Sequence, residues 1–429
     1  MAGILQDSVS DWAHEASQMA NIFSNSYLTI AASAAENGHQ GLLNRRRTTR
    51  IFDVVHGDKA FAVYVRDNIT HEFQARESEE LPFNSRTKLP LRQRAWCLQE
   101  ELLSTRIVHF TGDEMIFVCR AATTCECDPR WNPRFQIPPI IGTSSYRPSE
   151  IWNNLVWHYT ERQISFHKDR LPALSSLTYV YEKDSGRYFA GLWESHMPGS
   201  LLWWTQDGQR PEQERETQSR PPSWSWASIE GVVSHFHNLE GHKDVTQVLD
   251  VCTYPNTVDP RGMVSGGQIT LRAPLFPLGG TWKSYENSRS SFLSCYTGSI
   301  SADSCFASSP GWAPNLPWNE DECYCVLDDP TKPLLLLPNG IIDTTVFLLV
   351  IFTLGSYYPS NAGSRHTGYR FLGLLVQPLD DLDQTQAKTM EDSESKLSFV
   401  RIGVGGMYLG KEHGDEALQR FGNTIVTIF

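Results

Sequence analysis

The chain has 429 residues, of which 40% are hydrophobic, so it can bury the cores of about three domains of roughly 150 residues each. Its formal net charge of -12 opposes nonspecific binding to nucleic acid or anionic lipid, because phosphate groups attract a basic surface. We therefore expect a globular protein that has no nucleic-acid partner and no membrane partner.

The cysteines and the most hydrophobic segment bear on the compartment. Nine cysteines without an apolar signal segment predict a reducing compartment, and the cytoplasm is the default. Cys119, Cys125 and Cys127 are close in sequence but lack the CxxC spacing of structural zinc sites, so no metal is predicted. Residues 345–354 are about half as long as a membrane helix, and their β-branched and aromatic side chains predict a buried strand.

The first 120 residues are predicted to form an α/β layer, because helical and strand patterns alternate there. The first helix begins near Ser8 or Ser10 and ends near Phe23, and its apolar face includes Glu15. The further predicted elements are a strand over 27–32, a hairpin of 51–55 with 60–65, a helix from Arg94 to Leu103, and a hairpin of 107–110 with 115–119.

The remainder is predicted to be a helical segment followed by a β-rich part. Prolines interrupt residues 131–148, a helix is predicted over 150–163, and the polar stretch 206–222 is predicted to be a flexible loop. Beyond residue 246, short apolar runs separated by glycine and proline indicate a sandwich or barrel, with an exposed loop over 380–396. Residues 405–412 miss the phosphate-loop pattern at the last position, so we interpret them as a glycine-rich turn.

The segment from Arg94 to Arg106 carries an unusual carboxylate. On a helical wheel, Glu100 projects from a largely apolar arc beside Trp96, Cys97 and Leu103. A charge in that position is costly unless it is paired or put to use. Two interpretations stay open: a buried helix whose glutamate is neutralised by Arg92, Arg94 or Arg106, or a functional site that includes Glu100.

These residues resemble a known family. One pattern resembles the signature that ends the fungal HET (heterokaryon incompatibility) domain. It consists of Arg94, Trp96, Gln99, Glu100 and Arg106. Residues 6–23, with Asp11, Trp12 and Glu15, resemble the preceding HET segment. The region that commonly follows this domain is similar to four later segments: Tyr159–Arg162, Asp169–Ala173, Ala190–Glu194 and Pro222–Ala227.

The resemblance also sets an expected domain organisation. HET domains open with a serine-tyrosine-x-tryptophan-glycine strand and a tryptophan-isoleucine-aspartate strand, and residues 1–7 look like the tail of the second one. We expect residues 1–120 to be the C-terminal part of a HET domain, through natural truncation or a misplaced gene start. Residues 121–230 would be a mostly helical HET-associated region, and residues 231–429 a β-rich C-terminal domain. The implied fold of the HET part is distantly TIR-like and flavodoxin-like.

Three functional hypotheses follow from the resemblance. The first is a protein of fungal self/non-self recognition that triggers growth arrest or cell death through contacts with other proteins or with its own copies. It would need no cofactor, and it would be inactive if the truncation disables the domain. The second is a TIR-like enzyme that hydrolyses NAD with Glu15, which comes three residues after Trp12 where TIR sequences usually have four. The third is a degenerate remnant whose C-terminal β-rich domain binds something. The first hypothesis is preferred.

Overall fold

The computed structural model describes residues 9–43, 49–65, 89–112, 114–127, 147–205, 208, 221–236, 242–257, 259–278, 281–286, 294–299, 323–328, 346–359, 365–378, 397–410, 415, 418–422 and 424–429. The chain divides into two compact units. Unit 1 comprises Met1–Ser144 with Arg162–Ile164, and unit 2 comprises Ser145–Glu161 with Ser165–Phe429. The division into three segments expected from the sequence stays a prediction.

Unit 1 contains three helices and six strands within its described residues. They are α1 (Val9–Asn25), β1 (Thr29–Ala31), β2 (Thr49–His56), β3 (Lys59–Val65), α2 (Pro90–Gln93), α3 (Trp96–Leu103), β4 (Arg106–Phe110), β5 (Met115–Cys119) and β6 (Thr123–Cys125). Both predicted hairpins are confirmed, since β2 pairs antiparallel with β3 and β4 pairs antiparallel with β5. Gly57 has a φ of 61° in the turn between β2 and β3, a left-handed conformation that glycine adopts without strain.

The main sheet of unit 1 has four strands in the order β1-β4-β5-β6. Strand β1 is parallel to β4, whereas the pairs β4-β5 and β5-β6 are antiparallel. A mixed α/β architecture is therefore confirmed, but the TIR-like or flavodoxin-like resemblance is not, because such folds have a mostly parallel sheet. The core of this sheet is built from six buried residues: Ala31, Leu89, Ile107, Ile116, Val118 and Cys125.

Helix α1 packs against α3, and its buried side follows the predicted periodicity. Ala16 and Met19 are buried, whereas Glu15 is half-buried on the same helix. The predicted single helix from Arg94 to Leu103 is wrong at its start, because α2 ends at Gln93 and Arg94 has an extended backbone with φ −81° and ψ 129°. Arg94 instead forms a parallel β-bridge with Gln163, which interrupts the helix.

Unit 2 begins with two helices, α4 (Pro148–Thr160) and α5 (Pro172–Ser185). Short 3-10 turns and strands follow α5, so the predicted mostly helical region is only partly helical. The described strands are β7 (Tyr188–Phe189), β8 (Leu192–Trp193), β9 (Trp203–Thr205), β10 (Val233–His235), β11 (His242–Asp244), β12 (Gln247–Pro255), β13 (Val264–Ala273), β14 (Leu275–Leu278), β15 (Thr281–Glu286), β16 (Ser294–Ser299), β17 (Cys323–Leu327), β18 (Val346–Pro359), β19 (Arg365–Pro378), β20 (Leu397–Gly410) and β21 (Thr424–Ile428).

The predicted β-rich C-terminal part is confirmed as an 11-stranded sheet of described strands. Its centre is the antiparallel ribbon β18-β19-β20, and the sheet forks where β18 pairs with both β11 and β14. It forks again at β20, which pairs with β17 along one part and with β21 along another. Gly405 and Gly410 lie in β20, so the predicted glycine-rich turn is wrong at these residues, which form a regular strand.

The core of unit 2 brings together the four later segments that the resemblance singled out. The indole N–H of Trp226 donates to the carbonyl of Gly191 over 2.9 Å, and the hydroxyl of Tyr159 donates to the carbonyl of Arg170 over 2.7 Å. The rings of Tyr159 and Trp226 are 6.0 Å apart. At Gly191, φ is 99° and a Cβ would lie 2.4 Å from Trp226 Nε1, so a larger residue would not fit.

A buried ion pair joins the large sheet of unit 2 to this core. Arg401 is fully buried, and its guanidinium donates to both carboxylate oxygens of Asp328 over 2.9 and 3.0 Å. It also donates to the carbonyls of Leu201 and Trp203 over 2.6 and 2.5 Å and lies 3.3 Å from the centre of the Trp203 ring. The arginine is thus bonded through all three of its nitrogens.

Several predictions fall wholly or almost wholly outside the described residues. They are the proline-interrupted stretch 131–148 and the loops over 206–222 and 380–396. Among the helices that the structure describes, none combines the length and the apolar character that crossing a membrane requires.

Candidate functional site

The candidate site of unit 1 centres on Glu101, a carboxylate that binds two arginines. Arg92 donates to Glu101 over 2.7 Å, and Arg162 donates to the other carboxylate oxygen over 3.1 Å. All three side chains are buried, with exposed fractions of 11% for Arg92, 7% for Glu101 and 4% for Arg162. One carboxylate thus binds two arginines in a largely buried setting, where loss of a partner from an ion pair is costly.

Backbone pairing carries Arg162 to this cluster. The amide of Ala95 donates to the carbonyl of Gln163 over 2.8 Å, and the amide of Gln163 donates to the carbonyl of Gln93 over 2.6 Å. This bridge lies between α2 and α3, next to the side chain that Arg162 extends toward Glu101. Reasoning from the sequence missed the pair because the two residues are 61 positions apart, and its only signal was the family-like segment Tyr159–Arg162.

Glu100 does not have the arginine partner that the sequence suggested. Among the described residues, no arginine lies within 4.0 Å of its carboxylate, and the ion pairs of α3 are formed by Glu101 instead. Of the two interpretations left open for Glu100, the arginine ion pair applies to its neighbour Glu101, because adjacent helical positions point about 100° apart. Burial raises the pKa of Glu100, while Arg94, Arg162 and a hydrogen bond with Cys97 act in the opposite direction.

Cys97 and His109 border the same charged region. Burial, together with the charge of Glu100, raises the pKa of Cys97 to about 12, so its thiol stays protonated at neutral pH. Burial lowers the pKa of His109 to about 4, although Glu101 opposes that shift, so the imidazole is neutral. Its Nδ1 lies 2.9 Å from the hydroxyl of Ser33. Ser33 is fully buried, so this serine-histidine pair cannot meet a substrate and is structural.

The other family-motif residues serve different purposes. Gln99 is fully buried, and neither atom of its amide has a hydrogen-bond partner within the described part of the chain, which is costly by about 1–3 kcal/mol. Trp96 is half-buried. Arg106 is exposed and stacks on the ring of Tyr27 at 5.2 Å, which fastens the start of β4 beside β1.

Asp11, Trp12 and Glu15 all lie in α1. Glu15 is half-buried, and its carboxylate forms no hydrogen bond or ion pair with the residues that the structure describes. Helix α1 packs on α3, so the two family-like segments meet, as a shared domain would require. The assignment of Glu15 as a catalytic residue stays a prediction.

The β2-β3 hairpin presents an apolar face to solvent. Register pairs Phe52 with Val63 and Val54 with Phe61, so these four side chains share one face. Phe52 and Phe61 are 54% and 53% exposed. Among the described strands, β2 and β3 pair only with each other, so their outer backbone edges have no partner strand in the described part of the chain. An exposed apolar face with unpaired edges is typical of a protein-binding surface.

Unit 2 contains a cavity of about 250 Å³ near the start of α4. Its walls include Asn153, His196, Ser200 and His235. Asn153 Oδ1, His196 Nδ1 and Ser200 Oγ have no hydrogen-bond partner within the described residues, so they are available to a ligand. Burial lowers the pKa of His196 to about 4, which keeps its imidazole neutral. The walls also include the charged residues Arg147, Glu150 and Asp244, so the cavity suits a small polar molecule.

Comparison with known proteins gives one match, at the start of the chain. Residues 2–100 match the family model described as Heterokaryon incompatibility protein (HET). The matched part contains α1, the β2-β3 hairpin and α2, and it ends within α3. No curated protein and no solved structure matches the chain. The family resemblance inferred from the sequence is thereby confirmed for these residues.

Proposed function

Because residues 2–100 match the HET family model, we propose that this protein acts in fungal self/non-self recognition in the cytoplasm. The family match supports a heterokaryon-incompatibility type of function. In this proposal the HET part triggers growth arrest or cell death through contacts with protein partners and not through catalysis. The described titratable groups around α3 support that choice, because Glu101 is engaged by two arginines and Cys97 is held as a thiol.

The β2-β3 hairpin is the proposed contact surface. Its apolar face combines two exposed phenylalanines with two valines, and burial of apolar surface is the dominant favourable term in most protein association. An isolated two-stranded hairpin is only marginally stable in water, so burial of Phe52 and Phe61 against a partner would stabilise it. The hairpin lies within the residues that match the HET model, so the family function and the surface coincide.

The partner proposed first is a second copy of this chain. The unpaired edge of a hairpin is self-complementary, because two identical edges related by a two-fold axis satisfy each other's amides and carbonyls in an antiparallel ladder. Strand β2 carries Asp53 and strand β3 carries Lys59, so the hairpin has both signs of charge and does not repel its own copy. A different protein with a free strand edge is the alternative partner.

Inducible expression in a fungal host tests the function. We expect the wild-type chain to slow growth relative to an empty vector, and the double variant Phe52→Ser with Phe61→Ser to restore it. Phe166→Ser is the matched control, because Phe166 is 62% exposed but lies in unit 2, outside the HET match. Growth of the wild type equal to the empty vector would remove the toxic function, and a toxic double variant would remove the hairpin surface.

Sedimentation of the purified chain over a range of concentrations tests the partner. We expect reversible association that weakens at least about tenfold in the double hairpin variant, since each phenylalanine contributes about 1 kcal/mol or more. The Phe166→Ser control should associate as the wild type does. A monomer at every concentration, combined with hairpin-dependent growth arrest, would assign the surface to a different protein.

A second candidate function is ligand binding by unit 2, which the cavity with unpartnered polar atoms favours. Melting of the purified chain is measured with sugars, nucleosides and neutral amino acids, which match the size and polarity of the cavity. A stabilising compound should lose its effect in Asn153→Leu, which removes one polar wall atom. If no compound raises the melting temperature, this candidate is set aside.

A further inference from the structure

Glu114, Cys125 and Cys127 meet at one end of the β5-β6 hairpin of unit 1. Strand β5 begins at Met115 and β6 ends at Cys125, and the two strands are antiparallel with Ile116 opposite Cys125. The amide of Glu126 donates to the carbonyl of Met115 over 3.0 Å and continues the ladder by one step. The residue before β5 is thereby brought opposite the residues that follow β6.

The donor atoms of these three side chains are close together. One carboxylate oxygen of Glu114 and the sulfur atoms of Cys125 and Cys127 all lie within 4.8 Å of one another. The two sulfur atoms are 2.9 Å apart. Glu114 and Cys125 are buried, with exposed fractions of 3% and 5%, whereas Cys127 is exposed. The cluster therefore has a buried floor and an opening to solvent.

Thr111 holds the backbone of Glu114 in place. Its amide and its hydroxyl both donate to the carbonyl of Glu114, over 3.0 and 2.8 Å, and its hydroxyl accepts from the amide of Glu114 over 3.0 Å. This double clamp closes the turn between β4 and β5. The backbone of Glu114 is thus positioned by the hairpin itself and does not depend on the sulfur atoms for its location.

The donor atoms of the cluster are of the types that zinc binds. Thiolate sulfur and carboxylate oxygen are both zinc ligands in proteins, and here they lie within reach of one ion.

We propose that Glu114, Cys125 and Cys127 bind a zinc ion through one carboxylate oxygen and two thiolates. Thiolate ligands select zinc over magnesium or calcium, and three protein ligands with water in the fourth position complete a tetrahedral site. Binding releases the two thiol protons to solvent and forms two zinc–sulfur bonds and one zinc–oxygen bond. Two thiolates on a tetrahedral zinc lie about 3.8 Å apart, so the exposed Cys127 moves outward on binding.

This site lies beyond residues 2–100, so it is independent of the HET match and of the proposed function. The sequence predicted no metal because the cysteine spacing is not CxxC. Glu114 was not considered, since it is 11 residues before Cys125 and only the antiparallel pairing of β5 with β6 brings the two together. In function, the zinc would tie the end of this hairpin and hold the edge strand β6 in the sheet.

Metal binding to the full-length chain tests the proposal. The reduced, metal-free protein is titrated with zinc chloride against a chromophoric chelator and, separately, with cobalt chloride. We expect about one ion per chain and a thiolate-to-cobalt charge-transfer band. Cys127→Ser should weaken zinc binding at least about 100-fold and Glu114→Gln about tenfold or more, since both remove a ligand.

Two controls keep the outcome interpretable. Cys119→Ser removes a half-buried cysteine of β5 outside the cluster and should bind zinc as the wild type does. Because Cys127 is exposed, Cys127→Ser should keep the circular dichroism spectrum of the metal-free protein. Any one of three results would overturn the proposal. They are zinc binding that Cys127→Ser leaves unchanged, absence of the cobalt band, and a Cys125–Cys127 disulfide that persists under reducing conditions.

Discussion

The two units bury ionic groups in opposite ways. In unit 1, one carboxylate at Glu101 binds two guanidiniums. In unit 2, the guanidinium of Arg401 donates hydrogen bonds to one carboxylate and two carbonyls and also lies against an indole ring. Each of its nitrogens is therefore bonded. The difference identifies which residue is critical: the acid in unit 1, and the balanced pair as a whole in unit 2.

This contrast also distinguishes adjacent glutamates. Glu101 lies between Arg92 and Arg162 and pairs with both, whereas burial raises the pKa of Glu100 and disfavours its charge. The two residues are neighbours in one helix, yet only one of them stabilises the unit through its charge.

Glu101→Gln should destabilise unit 1 most, by about 4 kcal/mol, because it removes the carboxylate that binds both Arg92 and Arg162 in a largely buried setting. Hydrogen–deuterium exchange of peptides from α3 and β4 measures the loss for unit 1 alone. Glu100→Gln is the matched control and should leave stability unchanged or raise it by up to about 1 kcal/mol. Equal losses in the two variants would contradict the assignment of the ion pairs.

Asp328→Asn should destabilise unit 2 by about 3 kcal/mol. This loss is smaller than the one expected for Glu101→Gln, because Arg401 keeps its two carbonyl partners and the indole contact. Chemical denaturation followed by tryptophan fluorescence reports this loss, since Trp152, Trp193, Trp203, Trp224 and Trp226 are all buried in unit 2. A loss larger than that of Glu101→Gln would reverse the comparison between the balanced and the unbalanced pair.

The protonation of His109 should make unit 1 less stable in acid. Its folded pKa is about 4 and the ordinary value is 6.5, so below pH 6.5 the unfolded state binds a proton that the folded state does not. The stabilising contribution is complete above this window and is lost as pH falls toward 4, about 2 kcal/mol between pH 7 and pH 5. His109→Gln should flatten the pH dependence of exchange in β4, and an unchanged slope would refute this origin.

The smallest expected effect concerns NAD. The carboxylate of Glu15 has no ion pair among the described residues, and the sheet of unit 1 has a single parallel pair instead of a parallel sheet with a binding crevice. We therefore expect wild type and Glu15→Ala to leave NAD unchanged by chromatography. NAD consumed by the wild type and spared by Glu15→Ala would establish the enzymatic alternative and replace the contact-based proposal.

Local patterns predicted much of the fold but only part of the site. The β2-β3 hairpin and the strands β4 and β5 were predictable, because glycine turns and alternating apolar residues act over a few positions. The interruption at Arg94 was not predictable from local pattern, since it depends on a β-bridge to Gln163. The glycines of β20 predict a turn because glycine has a low strand propensity. They form a strand instead because β20 pairs along its length with β19.

What the sequence alone determined is the family resemblance of the N-terminal part, the α/β and β-rich halves, and the presence of a buried carboxylate in α3. Only the tertiary structure decided that the paired carboxylate is Glu101. Glu100 and Glu101 point about 100° apart on the helix, and the arginine that selects Glu101 is 61 residues away in the sequence. Antiparallel pairing likewise placed Glu114 beside two cysteines. Composition and periodicity are local properties, whereas charge pairs and ligand sets depend on distances that folding alone creates.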